Sequence, residues 1–166
     1  PDGARKIEQA LIRPLPRVDA FLFGPFNLEG GEMLGMTQPY WQKTLKMTMK
    51  TLKHRPNDLA GFLHFIEACF KSYVKYGAVG TKLTVAFVRT LEFRDATRRE
   101  AEKIFSRRLT KMTIDKVRPF QDYVFRFVLD QCAAHDLPIQ IHTGLQSGPD
   151  ANMPDCSPVH LTNLFK

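Results

Sequence analysis

The sequence predicts an α/β fold of parallel strands joined by helical crossovers, and three observations carry that prediction. Strand-like segments begin near residues 18, 79 and 138 with only helical patterns and loops between them, so no hairpin joins them. The intervening segments carry wide apolar stripes at helical spacing. The last strand is short, has one polar face, and ends on His142 before a Thr143-Gly144 turn, as strands do at the mouth of a parallel barrel that carries chemistry. A closed barrel takes about eight strands over about 250 residues. Three strands cannot close one, so the expected architecture is a partial (β/α)8 TIM barrel, with residues 1–166 a single, incomplete domain.

Taken in order, residues 4–13 read as a short helix closed by Pro14 and Pro16. Residues 18–23 form an apolar run broken only by Asp19, the pattern of a strand buried on both faces. Residues 24–39, rich in glycine and proline, read as a long loop. Residues 40–53 are helical, with Trp41, Leu45, Met49 and Leu52 at core spacing. A clearer helix follows Asn57-Asp58, where Phe62, Phe65, Ile66, Cys69, Phe70, Tyr73 and Val74 form a wide stripe ended by Gly77.

Residues 78–87 make the strongest strand. Val79, Thr81, Leu83, Val85 and Phe87 give a bulky face for helices to cover, whereas Gly80, Lys82, Thr84 and Ala86 give a small face with one long cation. That lysine either pairs with a carboxylate or serves a site. Residues 89–94 are a loop at the carboxyl end of this strand. Thr97-Arg-Arg-Glu100 is a capping box opening a helix whose buried stripe is Ala101, Ile104, Phe105 and Leu109. The next helix has Pro119 in its first turn and Phe120, Tyr123, Val124, Phe127, Val128 and Cys132 at core spacing, and stops at His135-Asp136. In the final strand Ile139 and Ile141 alternate with Gln140 and His142, and Ser157-Pro158 then starts a further helix.

Composition narrows the class. At 43% hydrophobic and 25% charged residues, the chain has enough apolar material to bury a core and is not disordered. No apolar run approaches the roughly 18 residues needed to cross a bilayer. The first residues lack a signal-like hydrophobic region, and Cys69, Cys132 and Cys156 fall outside any Cys-x-x-Cys pattern. These features predict a cytoplasmic protein with reduced thiols and no membrane partner. The net charge of +7 gathers on the outer faces of helices without a recognised binding motif, so nucleic acid is not an expected partner.

A resemblance sharpens this reading. Gly77-Ala-Val-Gly-Thr-Lys-Leu83, Phe120-Gln-Asp-Tyr-Val-Phe125, Leu137-Pro-Ile-Gln-Ile-His-Thr-Gly-Leu-Gln146 and Ser157-Pro-Val-His-Leu-Thr-Asn-Leu-Phe165 together resemble the middle of metal-dependent hydrolases of the amidohydrolase superfamily, in its amidohydrolase-related branch. The resemblance runs from about Arg55 to the end. It implies a (β/α)8 barrel in which His142, at the end of the fifth strand, is a ligand of a divalent metal, zinc first among the candidates. It makes Lys82, on the fourth strand, a candidate catalytic, metal-bridging carboxylated lysine. Arg89, Thr143 and Gln146, on the matching mouth loops, become candidate contacts to a small-molecule substrate.

The superfamily's first-strand His-x-His pair, sixth-strand His and eighth-strand Asp have no counterpart in these 166 residues, as expected of a central portion. One imidazole cannot hold a catalytic zinc, so this portion alone is expected to be inactive. The implied activity is hydrolysis of a small-molecule carbonyl or related substrate by metal-activated water. A metal-dependent decarboxylase of the same superfamily and a non-catalytic, barrel-derived binding protein stay open as alternatives, as does homo-oligomerisation. From pattern alone, His142 is equally readable as a packed core histidine.

Overall fold

Parallel backbone pairing around one central strand organises the molecule. The structure, a computed structural model, describes residues 13–144 and 152–165. In chain order the elements are α1 (Asp19–Phe23), β1 (Asn27–Glu29), α2 (Glu32–Thr51), α3 (Leu59–Lys75), β2 (Thr81–Leu83), α4 (Arg98–Ser106), β3 (Lys111–Thr113), α5 (Ile114–Ala134) and β4 (Ile139–Ile141). A 3-10 turn, Val85–Phe87, follows β2, and two 3-10 segments, Met153–Cys156 and Pro158–Phe165, follow β4.

The central strand is β2. It pairs in parallel with β4 in the register Thr81↔Ile139, Lys82↔Gln140 and Leu83↔Ile141. Its other edge takes the extended segment before α1. There Lys82 N donates to Pro16 O (2.9 Å), Val18 N donates to Lys82 O (2.9 Å), and Arg17 and Lys82 form a parallel bridge. Helices cross between these strands, which is the parallel α/β arrangement expected from their separation in sequence. A second parallel pair joins β1 to β3, Asn27↔Lys111 through Glu29↔Thr113. The described residues show these two small parallel sheets and no closed barrel.

Several local expectations change. Residues 18–23 are not a strand: pairing ends at Val18 and the chain turns into α1, all five residues of which are buried. A segment surrounded by core on every side shows an unbroken apolar run in either conformation, so periodicity could not separate the two. Residues 24–39 are not a single loop, because they contain β1 and the first turns of α2, with Gly31 as N-cap and Pro39 inside the helix. Leu34, Gln38, Trp41 and Leu45 are buried at helical spacing across that proline, so packing outweighs the one backbone hydrogen bond it removes. The strand expected over residues 78–87 is regular only at Thr81–Leu83 before the 3-10 turn, although Val79 N also donates to Pro14 O (3.2 Å). Leu109, expected in the core, is 86% exposed because α4 ends at Ser106. Pro119 lies beyond the first turn of α5, which begins at Ile114. Of residues 4–13, only Arg13 is among the described residues, and it is not helical.

The helical expectations for α3 and α4 hold at their starts. Asp58 caps α3 by accepting from Gly61 N (2.8 Å), and the Thr97–Glu100 capping box is complete. The rings of Phe62, Phe105 and Phe120 join α3, α4 and α5 at centroid distances of 5.2–6.0 Å, and Phe26 packs edge-on to Phe120 at 4.7 Å. All four are buried. Trp41 stacks on Phe23 at 4.4 Å and ties α2 to α1. Among the described residues, no helix is long and apolar enough to cross a membrane.

Phe62→Ala should lower unfolding free energy by about 3–5 kcal/mol, read from denaturant midpoints at unchanged m-value. The Thr97 hydroxyl and backbone N–H hold the Glu100 carboxyl below its ordinary range. A carboxyl lowered on folding stabilises above the ordinary glutamate pKa of about 4.3 and loses that contribution as pH falls through the lowered value. Amide exchange in the first turn of α4 should therefore accelerate selectively on acidification below that range. Glu100→Gln, whose amide does not titrate, should remove the acid dependence.

Candidate functional site

The register around β2 decides which side chains share a face. Thr81 and Leu83 point to the helical layer, where both are fully buried and Thr81 Oγ1 lies 3.5 Å from Cys132 Sγ of α5. Lys82 and Thr84 alternate to the opposite face and are half-buried. Because Arg17, Lys82 and Gln140 are register neighbours, they form one polar row across the strands. One residue pair further along come Asp19, Thr84 and His142.

Hydrogen bonds fix this second row at the carboxyl ends of the strands. His142 N donates to Leu83 O (2.9 Å), which continues the β2–β4 ladder one residue beyond β4. Asp19 is fully buried, and its Oδ1 accepts from both Thr84 N and Thr84 Oγ1 at 2.8 Å. Its Oδ2 accepts from Arg17 Nε at 3.3 Å, and an Arg17 Nη2 hydrogen also reaches Thr84 Oγ1. The half-buried His142 ring packs on Phe87, from the turn after β2, at a centroid distance of 4.7 Å and an interplanar angle of 31°. The histidine thus stands where the strands end, flanked by the chain that leaves β2.

Lys82 lies one row lower, beside the guanidinium-bearing Arg17, and pairs with no carboxylate among the described residues. The carboxylate in this region, Asp19, is held by Thr84 and Arg17. Arg17 is compensated by Asp19, which leaves Lys82 as the cation of this row without a carboxylate partner among the described residues.

Arg89 is not on the open surface expected of a substrate contact. It is 6% exposed, and its guanidinium donates to Asp122 Oδ1 (2.8 Å), Gln121 Oε1 (2.9 Å), Thr90 O (3.0 Å) and Glu92 O (3.0 Å) while lying 4.6 Å from the Phe93 ring centroid. Withdrawal from water raises the Asp122 carboxyl and lowers the Arg89 guanidinium, and their contact pulls each back toward its ordinary value. Asp122 Oδ2 also accepts from Arg94 N (3.3 Å). Arg89 therefore braces the post-β2 loop against α5. Thr143 is half-buried beside His142, and Gly144 N, at a positive φ of 79°, donates to Cys156 O (2.9 Å). Gln146 lies outside the described residues.

Sequence reasoning overlooked Asp19 and its partners. The signal was available as the one carboxylate in an apolar run, because a buried charge requires partners.

A catalytic divalent site takes about three protein ligands and an open position. No three His, Cys, Asp or Glu side chains converge in that way among the described residues. His142 is a single imidazole, and the Asp19 oxygens are held by Thr84 and Arg17. The described residues do not by themselves fit a metal ion.

Comparison with solved structures places the fold. The uronate isomerase of Thermotoga maritima superposes with a TM-score of 0.62 at 14% identity, over 80% of this chain and 27% of that one. A proposed metal-dependent hydrolase from Lactobacillus casei superposes with a TM-score of 0.55 at 21% identity, over 72% of this chain and 32% of that one. This chain shares their fold and spans about a quarter to a third of their length. No protein-family model and no curated protein matches it.

Arg89→Ala should destabilise the protein by about 3–5 kcal/mol, because Asp122 is left buried without its cation. Arg89→Lys should recover only part of this, since an ammonium cannot reproduce the fork. Chemical denaturation of the three proteins checks both statements; equal stability of Arg89→Ala and the parent would contradict the bracing role.

Proposed function

We propose that this chain is one sector of a metal-dependent (β/α)8-barrel enzyme of the amidohydrolase type, acting as a hydrolase on a small-molecule substrate. The observation that carries this reading is the position of His142. It lies one residue beyond β4, at the carboxyl end of a parallel sheet, the end at which barrel enzymes assemble their sites. The fold shared with an isomerase and a proposed metal-dependent hydrolase supports the reading.

In this proposal His142 supplies one ligand, and the others come from parts of the enzyme beyond the described residues. A divalent ion held there, zinc first among the candidates, would supply acidified water and a polarised carbonyl. The chain's own residues shape the space around it. Phe87 restricts the imidazole orientation, and the Asp19–Thr84 bonds hold the ends of two neighbouring strands together. Lys82, with Arg17 beside it, attracts an anionic substrate group or, if carboxylated, becomes a ligand itself. Thr143 and Gln146 are assigned to substrate contact.

His142→Ala in the full-length protein should reduce bound divalent metal and turnover while leaving the helical circular-dichroism signal within experimental error. Metal content should be read by elemental analysis on the same preparations. Unchanged metal stoichiometry would remove His142 from the ligand set, and a full-length parent with no metal above background would remove the metal-dependent reading.

A further inference from the structure

A groove of about 590 Å³ lies between α4, β3 and the start of α5, a volume typical of small-molecule sites. It is separate from the His142 row. Lys103 of α4 and Arg107, the C-cap residue of that helix, line one wall. Lys111 of β3 and Lys116 of α5 line it as well. Lys111 pairs with Glu29 at 3.1 Å, whereas Lys103, Arg107 and Lys116 make no ion pair among the described residues.

One acidic side chain, Glu100, lines the groove against four basic ones, so positive charge remains in excess. Glu100 Oε2 accepts from Thr97 N and Thr97 Oγ1, both at 2.7 Å, as part of the α4 cap. The cations are held near one another by packing beneath them, since Phe105 of α4 stacks on Phe120 of α5 at 5.7 Å. Ile104, Met112 and Pro119 add apolar surface between the charges.

We propose that this groove binds a small organic dianion, an apolar body bearing a phosphate-monoester group or paired carboxylates. Arg107 presents a planar fork suited to two oxygens of one acidic group, and the lysines act as point charges around it. Ile104, Met112 and Pro119 take the apolar body. An inorganic anion satisfies the charges but leaves those three side chains wet, so the organic ligand binds more tightly. The convergence of the cations on one groove of molecular size favours a compact ligand over a polynucleotide, which requires cations spaced along a phosphate backbone.

The test is calorimetric titration of the full-length protein with phenyl phosphate at low ionic strength. Saturable one-site binding is expected, at least about tenfold tighter than inorganic phosphate and weakened at least about tenfold in Lys103→Glu/Arg107→Glu. Lys116→Glu should weaken binding in the same direction, and its acidic side chain in the first turn of α5 favours the helix, so it keeps the test open if the double variant fails to fold. Lys46→Glu/Lys50→Glu, on a different basic surface, should leave the affinity unchanged. The proposal is overturned by absent saturation, by undiminished affinity in a folded Lys103→Glu/Arg107→Glu or Lys116→Glu protein, or by inorganic phosphate binding equally well, which would mean an adventitious ion only. Preferential binding of a duplex oligonucleotide at the same residues would also overturn it.

Discussion

The register that sets Arg17, Lys82 and Gln140 side by side is the constraint on which the rest of the structure depends. Side chains alternate along a strand, so a slip of one residue would send Lys82 into the helical layer and bring Leu83 into the polar row. Burial makes that slip costly. Thr81 and Leu83 are fully enclosed beneath α5 and its neighbours, and a lysine in their place would be a desolvated charge. The same register carries Asp19, Thr84 and His142 to one level. The Asp19 carboxylate then joins two strands through Thr84 at the point where their backbone ladder ends.

Above this row, the chain leaving β2 is secured by a polar cluster inside an otherwise aromatic layer. Arg89 reaches Asp122 and Gln121 of α5, and Gln121 Nε2 in turn donates to Leu22 O of α1 (3.3 Å). Three segments far apart in sequence are thereby connected through one guanidinium and one amide. Such a network is stabilising when its members are satisfied, and each of the three Arg89 guanidinium nitrogens has a partner here. The segment around Cys156 adds a further contact, with Leu91 N donating to Asp155 O and Gly144 N to Cys156 O. The strand-end row is consequently supported on both flanks while His142 and Thr143 keep part of their surface open.

Much of this was legible residue by residue. The amphipathic stripe of α3 runs through Phe62, Phe65, Ile66, Cys69 and Phe70, and each of these is buried. Thr97 and Glu100 announce a helix start through local chemistry alone, and they form the complete capping box. The separation of β2 from β4 requires a parallel pairing, and they pair in parallel. Residues 18–23 carry no such signal, because a short helix buried on all sides and a strand buried on both faces leave the same apolar trace. β1 and β3, three residues each, are too short for a two-residue period to declare itself, and they exist because each supplies the other's hydrogen bonds.

The site divides along the same line. Sequence by itself determined that His142 follows a short alternating strand, that Lys82 lies on the small face of its strand, and that helices separate the strands, because these depend on local order and period. Only the tertiary structure decided that Asp19 joins Thr84, that Arg89 turns inward to Asp122, and that Lys103 and Arg107 share a groove with Lys116. Those contacts connect residues that are 65, 33 and up to 13 positions apart. A linear pattern records which side of its own element a residue occupies, but the partner it meets there is chosen by how the elements pack.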